Sequence, residues 1–367
     1  MSEENINLNE EKIAEEIECQ ESLAEEIPTE QEAFTEENEE QPIVFSMLKP
    51  TKKQLEKTEI KRMGRVAGIS FLIFYAVMWI LNIATILIAR IFNSSYNEAL
   101  NLLYEPALQQ VQQIFFSISV FTVPFILVFK LFKFRISDLI SFKKPTGKKS
   151  LYLFLIGISF CAFSNIASSM AEQIFDRAGI SYEVDFGDSP EGFFGFMLSF
   201  LATAIAPALA EEFACRGILL GALKKYGEAF AVIVSSLLFG LMHANFEQIP
   251  FAFLAGLVLA YITVKSESIW IAVAVHCFNN SISIVYTYVL SGLSGVAQNI
   301  SYTVLLIACM LLGLFAVTKL SGEKDIFHFA EDTATTSLSE RIKWFLLSVP
   351  IILFIAICII QSLMYFV

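Results

Sequence analysis

Long apolar runs without a single Asp, Glu, Lys or Arg recur along this chain, and they constrain its fold more than any other feature. They cover 66–89, 114–129, 151–171, 193–210, 249–264 and 344–367. Run 268–318 is also free of these residues and is long enough for two crossings, with a break in its Ser- and Gly-containing stretch 291–299. A further apolar run, 229–246, contains His243. A membrane-crossing helix needs about 20 apolar residues. The pattern predicts an all-α, polytopic transmembrane helix bundle of about eight to nine spans, with 249–264 the shortest. At 55% hydrophobic residues the chain is more apolar than an average soluble one, and lipid is its natural solvent.

Charge is concentrated between the runs. Residues 1–45 hold sixteen Glu against one basic residue, Lys12, so the remaining 322 residues carry +3 although the whole chain is at −12. Low hydropathy and charge of one sign predict a mostly disordered acidic tail. The expected division is an acidic tail with a basic juxtamembrane segment over 1–62, then a transmembrane domain over 63–367. No basic region followed by a short apolar core opens the chain, so the first apolar run is expected to act as its own insertion signal. Lys and Arg gather before the first run, at 130–149, at Lys224–Lys225, at Lys265 and at 319–343, while loop 172–191 has six acids and only Arg177. By the positive-inside rule this places the N-terminus in the cytoplasm and, with nine spans, the C-terminus outside. The localisation expected is a multi-pass membrane protein, in a bacterial plasma membrane. Its partners are the lipid bilayer and a membrane-associated peptide or protein, with no nucleic acid.

The six cysteines form no CxxC pair, and five lie in apolar runs, as small buried hydrophobes do.

Ionisable groups at bilayer depth are costly and mark function or pairing. Apart from thiols and phenols, they occur here in three places. The segment 206–217 places Glu211, Glu212 and Arg216 in the fourth span, and His243 and His276 lie in later ones. At about 1.5 Å per residue, Glu211 lies ~20 Å from Lys224, His243 ~22 Å from Glu228, and His276 and Asn280 ~14 and ~20 Å from Glu267. Three helices therefore bring polar groups to one layer. His276 and Asn280 are four residues apart and share a face, as do Phe239 and His243. Glu212 and Arg216 have the same spacing, in the favourable acid-first order. Glu211 and Glu212 point about 100° apart, so one can face a cavity while the other holds Arg216.

Glu-Glu-x-x-x-Arg at 211–216, Phe-x-x-x-His at 239–243 and His-x-x-x-Asn at 276–280, in that order, resemble the CPBP family, also called the Abi or type II CAAX prenyl endopeptidase family. Pro207, Gly217 and Trp270 fit the same pattern, and the similarity covers about 190–290. The resemblance implies an intramembrane endopeptidase acting on a CAAX-like, bacteriocin-type or pheromone-type substrate. It implies Glu211 as general base, His243 holding the attacking water, His276 and Asn280 donating to the oxyanion, and Glu212 with Arg216 bracing the helix.

Three alternatives stand beside this reading. Glu211, His243 and His276 could supply a His₂Glu set for zinc, although HExxH is absent and Asn280 is a better oxyanion donor than zinc ligand; no cofactor is the preferred expectation. The resemblance also admits a non-catalytic bacteriocin-immunity or membrane-scaffold role. Buried acids and histidines can also build a proton relay, against which stands the lack of internal repeats.

Overall fold

A computed structural model describes residues 50–92, 102–179, 188–323, 325–332 and 334–366. The acidic tail expected over 1–45, Cys19 included, lies outside them.

Among the described residues the elements are all helical, with an isolated antiparallel bridge between Phe142 and Ser268. The main helices are α1 (Lys52–Phe92), α2 (Pro106–Leu131), α3 (Gly147–Ala178), α4 (Gly192–Tyr226), α5 (Glu228–Leu241), α6 (Gln248–Ser266), α7 (Ile269–Leu290), α8 (Gly295–Leu320), α9 (Leu338–Leu346) and α10 (Val349–Leu363). Apolar runs become helices because hydrocarbon cannot satisfy backbone N–H and C=O groups, and a helix satisfies them within one segment. Start signals agree with this. Glu105 caps α2 through the Leu108 amide, Ser294 caps α8, and a Ser337/Glu340 capping box opens α9.

Seven helices are long and apolar enough to cross a membrane, or eight if α9 and α10, bent by 73°, count as one. The protein is a multi-pass membrane protein. The expected ninth crossing is corrected by α5. The apolar run 229–246 forms a helix of only 14 residues, about 21 Å, too short to span. Polar His243 and Asn245 end it, and the chain turns back into α6, which has 19 residues and does qualify. The turn therefore follows after less than a full crossing of apolar helix.

Two apolar clusters flank α4 and α6. One packs α1, α2 and α10 against α4 and α5, around Phe71, Phe125, Phe230 and Phe354. The other packs α3 and α8 against α6 and α7, around Leu153, Ile262 and Val275. Helices α5 and α6 approach closely because both carry glycine at the contact. A Cβ on Gly256 would lie 3.2 Å from the Ser236 backbone and 3.3 Å from the Phe239 ring, the small-residue packing typical within membranes. Cys161, Cys215, Cys277, Cys309 and Cys358 are free thiols, four of them buried.

At the lysine-rich end the loop after α8 is strapped down by charge. Asp332 pairs with buried Arg341, which also donates to the Tyr226 carbonyl. Glu228 accepts from the Ala330 amide at 2.9 Å and from Lys265 at 3.3 Å.

Candidate active site

Helix α4 is not uniformly α-helical. Phe200–Ile205 and Phe213–Leu219 are wound as π-helix, and between them the α-helical stretch Ala206–Glu212 ends on the two glutamates. Such insertions concentrate at functional positions because they redirect side chains out of the regular register. Here Glu211 and Glu212 take different environments, as their angular separation predicts.

Glu212 is fully buried. Its Oε1 accepts from Arg216 Nη1 at 2.8 Å and lies 2.8 Å from Nδ1 of His276, across on α7. Arg216 is buried with it, stacked on the Phe239 ring at 4.0 Å, with its Nη2 3.4 Å from the Gly256 carbonyl. The expected Glu212–Arg216 pair is present. The sequence did not reveal that Glu212 also reaches His276, because intrahelical spacing says nothing about which face of α4 meets α7.

Phe239 joins the parts. Its ring centroid lies 5.2 Å from that of His243 and 6.0 Å from that of His276, edge-on to both. Glu211 is half-buried. Its Oε2 is buried without a hydrogen-bond partner among the described residues, as is Glu212 Oε2. An oxygen left unpaired in this way costs about 1–3 kcal/mol.

The two histidines have fixed donors. His243 Nδ1 is 2.8 Å from the Phe239 carbonyl. A carbonyl only accepts, so Nδ1 carries the proton and Nε2 keeps its lone pair in the neutral ring. His276 Nδ1 likewise donates to Glu212, an acceptor already engaged by Arg216. His276 can therefore donate from Nε2 only when it carries both protons. Asn280, one turn further along α7, donates from Nδ2 to the Thr203 carbonyl at 3.1 Å and accepts from Asn279 at 3.3 Å. The amide nitrogen has a second hydrogen, which these contacts leave available.

The turn after α5 has its own architecture. Ala244 adopts a left-handed backbone, φ 47°, which costs a non-glycine residue about 1–3 kcal/mol. Asn245 is buried, and its Oδ1 accepts from the amides of Glu247 at 2.9 Å and Gln248 at 3.4 Å, starting α6. Asn245 is thus a cap, and Asn279 a prop for Asn280.

Among the described residues no group of three His, Cys, Asp or Glu side chains is gathered so as to hold a metal ion, while Nδ1 of each histidine donates to a protein acceptor, as the second ring nitrogen of a zinc-bound imidazole also does.

Two glutamates of α4, a histidine of the turn after α5 and a histidine of α7 thus lie within a helix bundle whose apolar helices define a polytopic membrane protein. Residues 193–282, which hold all of these groups, match the family described as type II CAAX prenyl endopeptidase Rce1-like. The chain is similar to the "Putative membrane peptidase YdiL" of Bacillus subtilis (strain 168), with 27% identity over 89 residues, 24% of this chain and 36% of that protein. The similarity thus spans about a third of that relative's length. No solved structure matches the chain.

Proposed function

We propose that this protein is an intramembrane endopeptidase that hydrolyses a peptide bond of a membrane-associated substrate with a glutamate-activated water. The observation that carries the reading is the pair of imidazoles whose Nδ1 atoms are tied back to the protein, with Glu211 next in sequence to the Glu212 that holds His276. Glu211 takes a proton from water as the water oxygen bonds to the scissile carbonyl carbon. Nε2 of His243, a lone-pair acceptor, holds that water by accepting its other hydrogen. The carbonyl oxygen becomes an oxyanion and receives hydrogen bonds from doubly protonated His276 and from the second hydrogen of Asn280. As the C–N bond breaks, Glu211 returns its proton to the leaving amine. Glu212 orients His276 and supplies its counter-charge, while Arg216 and Phe239 fix Glu212.

The substrate class is a CAAX-like, bacteriocin-type or pheromone-type peptide. Of these, the family that 193–282 matches supports the CAAX-like class. The distribution of Lys and Arg supports a cytoplasmic N-terminus.

The test is cleavage of a fluorogenic CAAX-type peptide by purified protein in nanodiscs, with Glu211→Gln and with a chelator. We expect Glu211→Gln to lose cleavage and the chelator to leave the parent unaffected. Unchanged cleavage by Glu211→Gln refutes the mechanism, and chelator sensitivity reversed by zinc refutes its metal-free form.

A further inference from the structure

The segment that matches the family ends its α5 in a non-helical turn after less than a full crossing, and two helices outside that segment hold the turn. Irregular backbone within a membrane is tolerated only where the protein satisfies its polar groups. The Tyr75 hydroxyl, on α1, donates to the Met242 carbonyl at 3.2 Å, immediately before His243. Tyr75 is 1% exposed, and its oxygen also lies 3.5 Å from Cys358 Sγ on α10. At the other end of the turn, Ser168 Oγ, on α3, donates to the Glu247 carbonyl at 2.7 Å. Between the two anchors lie His243 and the left-handed Ala244. A conformation of this kind persists when its surroundings over-determine it.

We infer that Tyr75 and Ser168 are positioning residues that set the place of His243 relative to Glu211, which makes α1 and α3 part of the catalytic apparatus. The inference rests on the endopeptidase reading. His243 has little freedom of its own, since its ring is tied to the Phe239 carbonyl. Its position therefore follows the backbone between the two clamps. A group displaced by about 1 Å from a reacting water can lose on the order of a hundredfold in rate.

The experiment compares Tyr75→Phe, Ser168→Ala, the double variant, Cys358→Ala and Glu211→Gln in the same peptide-cleavage assay. Tyr75→Phe keeps the buried ring and removes only the donor. We expect its kcat to fall between about 10- and 100-fold, with KM changed less than about twofold. Ser168→Ala should lower kcat in the same manner, and the double variant should depart from additivity, since the two clamps act on one turn. The limb of the pH–kcat profile that reports the imidazole should move in Tyr75→Phe and stay in place in Cys358→Ala, which loses the thiol contact but not the bond to Met242. A defect of folding alone would lower the amount of active enzyme and leave KM and the pH profile as they are. Ser168 is only half-buried, so its variant keeps the test open should Tyr75→Phe fold poorly. Parental kcat and pH profile in both single variants, with Glu211→Gln inactive, overturns the inference and leaves the endopeptidase standing. Full activity of Glu211→Gln removes the reading beneath it.

Discussion

Glu212 serves two partners, and substitutions can separate them. Its side chain and that of Arg216 are 0% and 1% exposed, so neither charge is screened by water. Glu212→Ala leaves Arg216 with the Gly256 carbonyl at 3.4 Å and the face of Phe239. Removing one member of such a buried pair costs about 3–5 kcal/mol. Glu212→Gln keeps a carbonyl oxygen where both donors point but loses the charge, so about 1.5–3 kcal/mol is expected, the worth of a hydrogen bond to a charged group. The decisive variant is Glu212→Leu with Arg216→Met, which removes both charges together. Replacing a buried ion pair by apolar side chains of similar volume is commonly neutral or stabilising, so thermal unfolding should return to the parental midpoint or above. Cleavage should not return, because His276 still lacks its carboxylate. The deficit should be roughly 10²–10³ in kcat, the typical loss when one oxyanion donor is disabled. The assay pairs thermal unfolding in nanodiscs with peptide cleavage on the same preparations. A double variant that is both stable and fully active would show that Glu212 is only a brace and that its contact with His276 has no part in the chemistry.

Two further outcomes follow from the packing and the strap. Gly256→Ala should destabilise the fold by about 1–3 kcal/mol, measured by thermal unfolding, because the added carbon presses on Ser236 and Phe239; an unchanged midpoint would refute the close approach of α5 and α6. The hydrogen bond from Arg341 holds the Asp332 carboxyl below its ordinary value of 3.8. A depressed carboxylate contributes stability above the unfolded value and loses it as pH falls through the folded one. Amide protection factors in the loop after α8, which remove the pH dependence of intrinsic exchange, should therefore fall as the pH drops below about 3.8, and Asp332→Asn should abolish that step.

Much of this was legible in the residues, for physical reasons. Apolar runs report burial in lipid directly, and the break inside 268–318 was found where α7 ends at Leu290 and α8 begins at Gly295. Spacing within a helix reports which side chains share a face, so the Glu212–Arg216 pair could be anticipated. Contacts between helices depend on rotation and crossing angle, which no intrahelical spacing encodes. This hid the bond from Glu212 to His276 and the donation from Asn280 to Thr203. The short α5 was hidden because hydropathy averages over the turn. The signal lay in Asn245, a helix-starting residue inside an apolar run, followed by Pro250 near the start of α6.

The π-wound stretch Phe213–Leu219 gives α4 a dependence on residue count that a plain helix lacks. Deleting one residue there would let the backbone relax into ordinary α winding while leaving composition and hydropathy nearly the same. The helix on either side would keep its register, while side chains inside the stretch would be re-aimed against their neighbours. A deletion just ahead of Arg216 would shorten its spacing from Glu212 from four residues to three, which keeps the pair on one face but changes the angle of approach. The residue count of this stretch thus tunes how the guanidinium meets the carboxylate.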